Sequence, residues 1–241
     1  TCALPISAAN MTGSNRLLLG LGWSLVVLVS LAVASRRSGQ PVREVVLEAR
    51  HRLEVGFLAV AALVAFVIPA TGQIHIVFGC VLLGFFAFYL FRVGSVEDDS
   101  EPDLVGPAAA IGGLPTARRR TVVIGLFVVA AAVILLCAEP FAEALIGSGE
   151  ALGIDQFLLV QWLAPLASEA PEFIVALIFA VRGNAVAALG MLIAAKVNQW
   201  TLLIGSLPIA YLFGGGDGVL QLDARQVEEV LLTAAQTVLG V

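Results

Sequence analysis

An all-α integral membrane protein is the fold class this sequence predicts, and three observations predict it. Of 241 residues, 59% are hydrophobic and 13% charged, with a mean hydropathy of +0.98, whereas a soluble domain carries about 25% charged residues. The apolar residues gather into long runs, and a hydrocarbon core about 30 Å thick needs roughly 20 of them in a helix. Leucine, valine and alanine dominate those runs, without the roughly ten-residue alternation of a membrane barrel.

Taken in order, the runs predict spans at 17–34 (with a helical lead-in from Ala8), 53–70, 74–91, 121–138, 157–181 and 185–213. A partial run opens at Val230 and is too short to cross. Thr1 is not an initiator, so the sequence reads as part of a longer membrane protein. The loops set the orientation. Segment 35–52 holds five arginines, Arg92 and Arg118–Arg120 sit at the ends of 92–120, and Arg182 lies in the "RGN" turn. If the spans alternate, all of these fall on one side, and Arg225 is alone on the other. The arginine-rich side is expected to be cytoplasmic, in the plasma (inner) membrane.

Several function classes drop out. No basic domain points to nucleic acid. Cys2, Cys80 and Cys137 are too few and too scattered for a disulfide framework or a zinc site, and the two within apolar runs are expected to be small buried residues. "FGGGDG" (213–218) carries the G-x-G-D of intramembrane aspartyl proteases, but Asp217 has no second aspartate in any span to share a proton with. His51 and His75 sit at span edges without a nucleophile. An enzyme is therefore not expected, nor a cofactor. The acidic "EDDSEPD" (97–103) reads as a solvated loop, with weak calcium sensing as the alternative.

The fifth run contains the exception to its own chemistry. "LAPLASEAPEF" (163–173) places two prolines and two glutamates in the middle of a span. Glu169 and Glu172 are three residues apart and Ser168 is four before Glu172, so the three share a helical face. Pro165 cannot donate to the carbonyl of Gln161, nor Pro171 to that of Ala167. Two carboxylates, a hydroxyl and two freed carbonyls make a hard, oxygen-rich set suited to Na⁺ or Ca²⁺. Carboxylates inside a membrane mark function, and broken helices at the midplane hold coupling ions in secondary transporters. The next run carries Lys196, Asn198 and Gln199 near its own centre. The expected partners are inorganic cations and the lipid bilayer, and a cation channel is the rival reading.

These residues carry a resemblance. "SEAPEFIVALIFAVRGNAVAALG" (168–190) resembles the second α-repeat of the calcium:cation antiporter superfamily, the sodium/calcium exchanger membrane domain. The family pattern there is T/S-S-x-P-E, a G-N turn, then A-L-G-N/D-x-x-G-S-N. "ANMTGSNRLLLGLG" (9–22) resembles the end of the first α-repeat, matching at Asn10, Gly13, Ser14 and Asn15. The resemblance implies an inverted-repeat transporter bundle of about ten helices in the full protein, six to seven of them present here. Residues 1–92 would close the first α-repeat and add the following spans. A cytoplasmic loop (93–120) would follow, then the second half (121–241), with its α-repeat at 157–213. It also implies an antiporter moving Ca²⁺ or Na⁺ against Na⁺ or H⁺. Glu172 matches the family's ion-binding glutamate and Ser168 its first hydroxyl, and Asn10 would approach Glu172. With Glu169 as a second metal ligand and Asn198, both read from the residues themselves, they make the expected cation-binding set.

The second repeat departs from the pattern. Glu169 replaces a hydroxyl, Met191 stands where the family has Asn or Asp, and Ala194-Ala195-Lys196 replaces G-S-N. Lys196 is expected to pair with Glu169 or Glu172 as a charge-compensating group. It would leave a net charge of about −1, which suits a proton-coupled or monovalent exchange.

Overall fold

The computed structural model describes residues 3–47, 51–95, 107–154 and 156–241. Contacts divide the chain into two compact units, 1–96 with 157–241, and 97–156.

Helix α1 (Ala3–Arg16) runs through a π-helical segment, Leu17–Trp23, into α2 (Ser24–Ser38). Gly39, left-handed at φ 66°, ends it as a residue without a Cβ can. Next come α3 (His51–Ala65) and the short α4 (Val67–Thr71), which Gly72 (φ 67°) closes in the same way. Strand β1 (Gln73–His75) leads to α5 (Ile76–Gly94), whose first turn is capped by the His75 ring accepting from the Val77 N–H at 3.1 Å. In the other unit lie α6 (Pro107–Gly112) and α7 (Thr116–Leu152).

The chain returns through α8 (Gln156–Ser168) and α9 (Ala170–Val181), bent by 51° at Glu169. After the Arg182–Asn184 turn, α10 (Ala185–Asn198) passes through a second π-helical segment, Gln199–Leu203, into α11 (Ile204–Phe213). Strand β2 (Val219–Gln221) precedes α12 (Ala224–Gly240).

Among the described residues, five helical segments are long and apolar enough to cross a membrane, six with the bent α8–α9 pair counted as one. The protein is a multi-pass integral membrane protein. Two features separate the ends of the first unit. At one end, β1 and β2 pair antiparallel, with Ile74 opposite Leu220, tying 73–75 to 219–221. At the other, the Arg37 guanidinium lies against Gly183, where an added Cβ would meet Nη1 at 2.2 Å. The segments that alternation assigns to a common side thus meet.

Three expectations change. Residues 139–152, expected in a loop, belong to α7, because Ala, Glu and Leu are strong helix formers and carry the helix past Pro140. Its 37 residues span about 55 Å at 1.5 Å each, well beyond the hydrocarbon core. The last helix begins at Ala224 rather than Val230, because Asp223 and Gln226 form a reciprocal capping box. Cys80 and Cys137 are exposed, not buried; where the surroundings are lipid, an apolar thiol gains nothing from moving inward. The acidic cluster 97–103 lies outside the described residues.

Helices α5 and α11 cross closely, glycine against glycine. A Cβ on Gly79 would sit 2.7 Å from the Gly205 carbonyl oxygen and from Pro208 Cγ, and one on Gly205 would sit 2.8 Å from the Gly79 oxygen. Neither a backbone carbonyl nor a proline ring can move aside easily. Such approach through small residues is how helices associate where no hydrophobic force separates them from lipid. Gly79→Ala is expected to cost about 1–3 kcal/mol by overpacking. Gly84→Ala, with nothing within 4 Å, should cost nothing. Equal thermal unfolding of the two variants in detergent would contradict this contact.

Candidate functional site

The site starts from the prolines. Within α8, Pro165 leaves the Gln161 carbonyl without its i+4 donor, and that oxygen faces Gly13 of α1, where a Cβ would lie 1.9 Å away. A glycine is required for α1 and α8 to cross this closely. Beyond Pro165 the helix bends: Glu169 sits at φ −93°, ψ −1° and α9 restarts with Pro171 in its first turn. That restart places the Glu172 carboxylate in the first turn of α9, near the positive end of the helix dipole.

A cavity of about 290 Å³ opens on this bend, lined by Glu169, Glu172, Asn198, Gln199 and Ser206, with Ala195, Leu202 and Leu203 between them. The lining residues of 195–206 recur at three- and four-residue intervals, one face of the α10–π–α11 helix. Ser206, which the sequence did not single out, lines the cavity too, and Gln199, expected only as part of a polar span midpoint, makes a contact within it. Its amide donates to Glu169 Oε1 at 3.0 Å, while its own oxygen is buried without a donor. The only signal was its place in the polar midpoint of a span.

Several acceptors here are buried with no hydrogen-bond partner: Glu172 Oε2, Asn10 Oδ1, Asn15 Oδ1 and the Gln199 oxygen. Most buried side-chain polar atoms are paired. Of these bare oxygens, Glu172 Oε2 and the Gln199 oxygen belong to residues that line the cavity, where they offer a cation its ligands, whereas Asn10 and Asn15 do not line it. Ser14 faces Glu169 without forming a well-aligned hydrogen bond. Among the expected residues, Glu169, Glu172 and Asn198 line the cavity, Asn198 at its exposed rim. Ser168 does not line it. It is exposed, and its hydroxyl is turned back on the Pro165 carbonyl at 3.4 Å.

Lys196 is fully buried, and it does not form the expected ion pair. Its ammonium donates to the backbone carbonyl of Asn15 at 2.9 Å, with Glu169 within electrostatic reach. In the repeat pattern Lys196 occupies the place that Asn15 holds in the first repeat. A residue therefore touches its own counterpart, which puts this bond at the pseudo-two-fold relation between the repeats. The backbone agrees: π-helical segments begin at Leu17 and Gln199, two and three residues after the paired positions.

A second polar cluster joins α1, α8 and α12. Glu229 of α12 accepts from Gln161 Nε2 of α8 and pairs with Arg16 of α1. Since Gln161 also presents its carbonyl at Gly13, one residue joins the α1–α8 crossing to α12.

Comparison with known proteins follows this geometry. Residues 4–94 and 122–240 match the family described as sodium/calcium exchanger protein. A crystal structure of an H⁺/Ca²⁺ exchanger, CAX, is similar over 97% of this chain and 58% of that one, with 43% sequence identity and a TM-score of 0.89. No curated protein matches the chain.

Gln199 supplies a direct check on the site. Replacing it with leucine leaves Glu169 without its amide donor, and a hydrogen bond to a charged group is worth about 1.5–3 kcal/mol. Cation binding at this cavity in Gln199→Leu, measured by titration calorimetry with divalent ions, is expected to weaken about tenfold or more. Unchanged affinity would show that Gln199 does not orient the carboxylate.

Proposed function

Because the chain belongs to the sodium/calcium exchanger protein family, we propose that it carries the ion site of a secondary active cation antiporter. The full exchange cycle is proposed for the longer unit that the chain represents in part, since the chain spans 58% of the length of the CAX structure. The observation that supports the reading is the cavity at the α8–α9 bend, which Glu169 and Glu172 both line and where Glu172 Oε2 is buried without a partner. Glu172 and Glu169 are the cation ligands, Asn198 the rim ligand, and Asn10 an oxygen supplied from the first repeat. Ser168 supports the bend through Pro165.

Calcium is the transported ion in this reading, exchanged against protons. The similar CAX structure is of an H⁺/Ca²⁺ exchanger, and hard oxygen ligands with two carboxylates suit calcium. A carboxylate pair also offers the counter-ion its place, because a proton and a calcium ion compete for the same oxygens. Binding of one ion at a time then couples the two fluxes without a separate proton path. The 35–52 and 92–120 loops face the cytoplasm, with the protein in the plasma (inner) membrane, as their arginines favour.

Protein reconstituted in vesicles tests this. An imposed pH gradient is expected to drive calcium uptake in the wild type, and Glu172→Gln is expected to lower it by about a hundredfold or more while the protein stays folded, since a neutral amide removes one of two charged ligands. Wild-type flux from the Gln variant would sink the assignment of Glu172, and gradient-independent flux would favour a channel.

A further inference from the structure

The two repeats of this chain treat the same positions in opposite ways. In the first, Asn10, Gly13, Ser14 and Asn15 place three oxygen-bearing side chains along one stretch of α1. The corresponding residues of α10 are Met191, Ala194, Ala195 and Lys196. All three oxygen donors are gone from the second repeat, and a cation stands in place of one of them. Half of a cation-binding set has been exchanged for the cation itself.

The geometry fits that exchange. Lys196 is fully buried, so its ammonium must be satisfied inside the protein. An ammonium has three donors and no acceptor, and the bond seen goes across the repeat relation to the Asn15 carbonyl rather than to a carboxylate. A main-chain carbonyl is the kind of oxygen that coordinates Na⁺ as readily as it accepts from an N–H. Glu169, the carboxylate added where the resembling pattern has a hydroxyl, lies within electrostatic reach of this ammonium. The two departures, one extra negative charge and one extra positive charge, therefore compensate each other. Glu169 and Glu172 both line the cavity, and together they face the exchangeable ion with one of their charges already balanced.

We propose that Lys196 is a tethered cation, filling one place of a two-place site, so that a single exchangeable calcium ion binds at Glu169 and Glu172 and Na⁺ neither drives nor inhibits its exchange. This is a specificity-determining role, and it rests on the antiport reading above. A purely structural lysine would hold the α1–α10 crossing equally well but would leave the sodium response of its variants unchanged.

The test is calcium uptake into vesicles containing the wild type, Lys196→Asn or Lys196→Arg, with and without Na⁺, alongside the charge moved per calcium ion. The wild type is expected to be insensitive to Na⁺. Lys196→Asn restores the residue type of Asn15 and is expected to make uptake respond to Na⁺ by about tenfold, within the usual range for coupling between two ligands. Its charge per calcium ion should change as well. Lys196→Arg, which keeps the positive charge, should stay insensitive. Should the Asn variant fail to fold, the wild type still decides: inhibition by Na⁺ of about tenfold or more would show that the second place is not filled. If the wild type exchanges calcium and Lys196→Asn folds yet gains no response to Na⁺, the tethered-cation role is overturned while the antiport reading stands. Absence of any gradient-driven calcium flux in the wild type would overturn both.

Discussion

A wholly buried ammonium bonded to one backbone carbonyl, Lys196 to Asn15, is the interaction around which the rest of the site is arranged. A buried charge is tolerated only where partners and counter-charge surround it. That requirement explains why α1 and α10 must meet at this level and why a carboxylate stands within reach. The α10 residues matching Asn10, Gly13 and Ser14 are Met191, Ala194 and Ala195, which carry no side-chain oxygen, so the acceptor comes from α1 instead. The contact joins two residues equivalent by the internal repeat, so holding it fixes the relation between the two halves as well as the charge of the site.

Around this bond, close backbone approaches do the positioning. Gly13 brings α1 against the carbonyl that Pro165 sets free, and Gly79 with Gly205 brings α5 against α11. Gln161 and Glu229 then tie the first of these crossings to α12, with Arg16 closing the cluster. None of these residues lines the cavity, yet each limits where Glu169 and Glu172 can stand. The bend at Glu169 completes the arrangement: one helix end delivers Glu169 to the Gln199 amide, and the next helix start delivers Glu172 beside it, with an oxygen unpartnered.

Most of this architecture was legible in local sequence. The proline–glutamate pattern marked the bend, because a proline removes a backbone bond wherever it stands in a helix. The arginine distribution grouped 35–52 with the 182–184 turn, and Arg37 does lie against Gly183. What was not legible was non-local or had no composition of its own. The Lys196–Asn15 bond joins residues 181 apart, and a lysine near two glutamates in sequence gives no warning that it will prefer a carbonyl from another helix. The π-helical segments at Leu17–Trp23 and Gln199–Leu203 carry no proline or other local mark that separates them from ordinary helix. Ser168 had the right spacing from Glu172 but loses its hydroxyl to the nearby Pro165 carbonyl, a local competition usual for serine. The Asp223–Gln226 capping box stands in the sequence, but the apolar run that would mark its helix begins later, at Val230.

The account comes down to how many exchangeable cations the site holds and where. The most direct measurement is anomalous scattering from crystals of the protein soaked with barium in place of calcium and, separately, with thallium(I) in place of Na⁺. A single barium peak between the Glu169 and Glu172 carboxylates, with no thallium peak beside the Asn15 carbonyl, is the predicted result. A thallium peak at that carbonyl with Lys196 displaced from it, or a barium peak away from the two glutamates, would contradict the account.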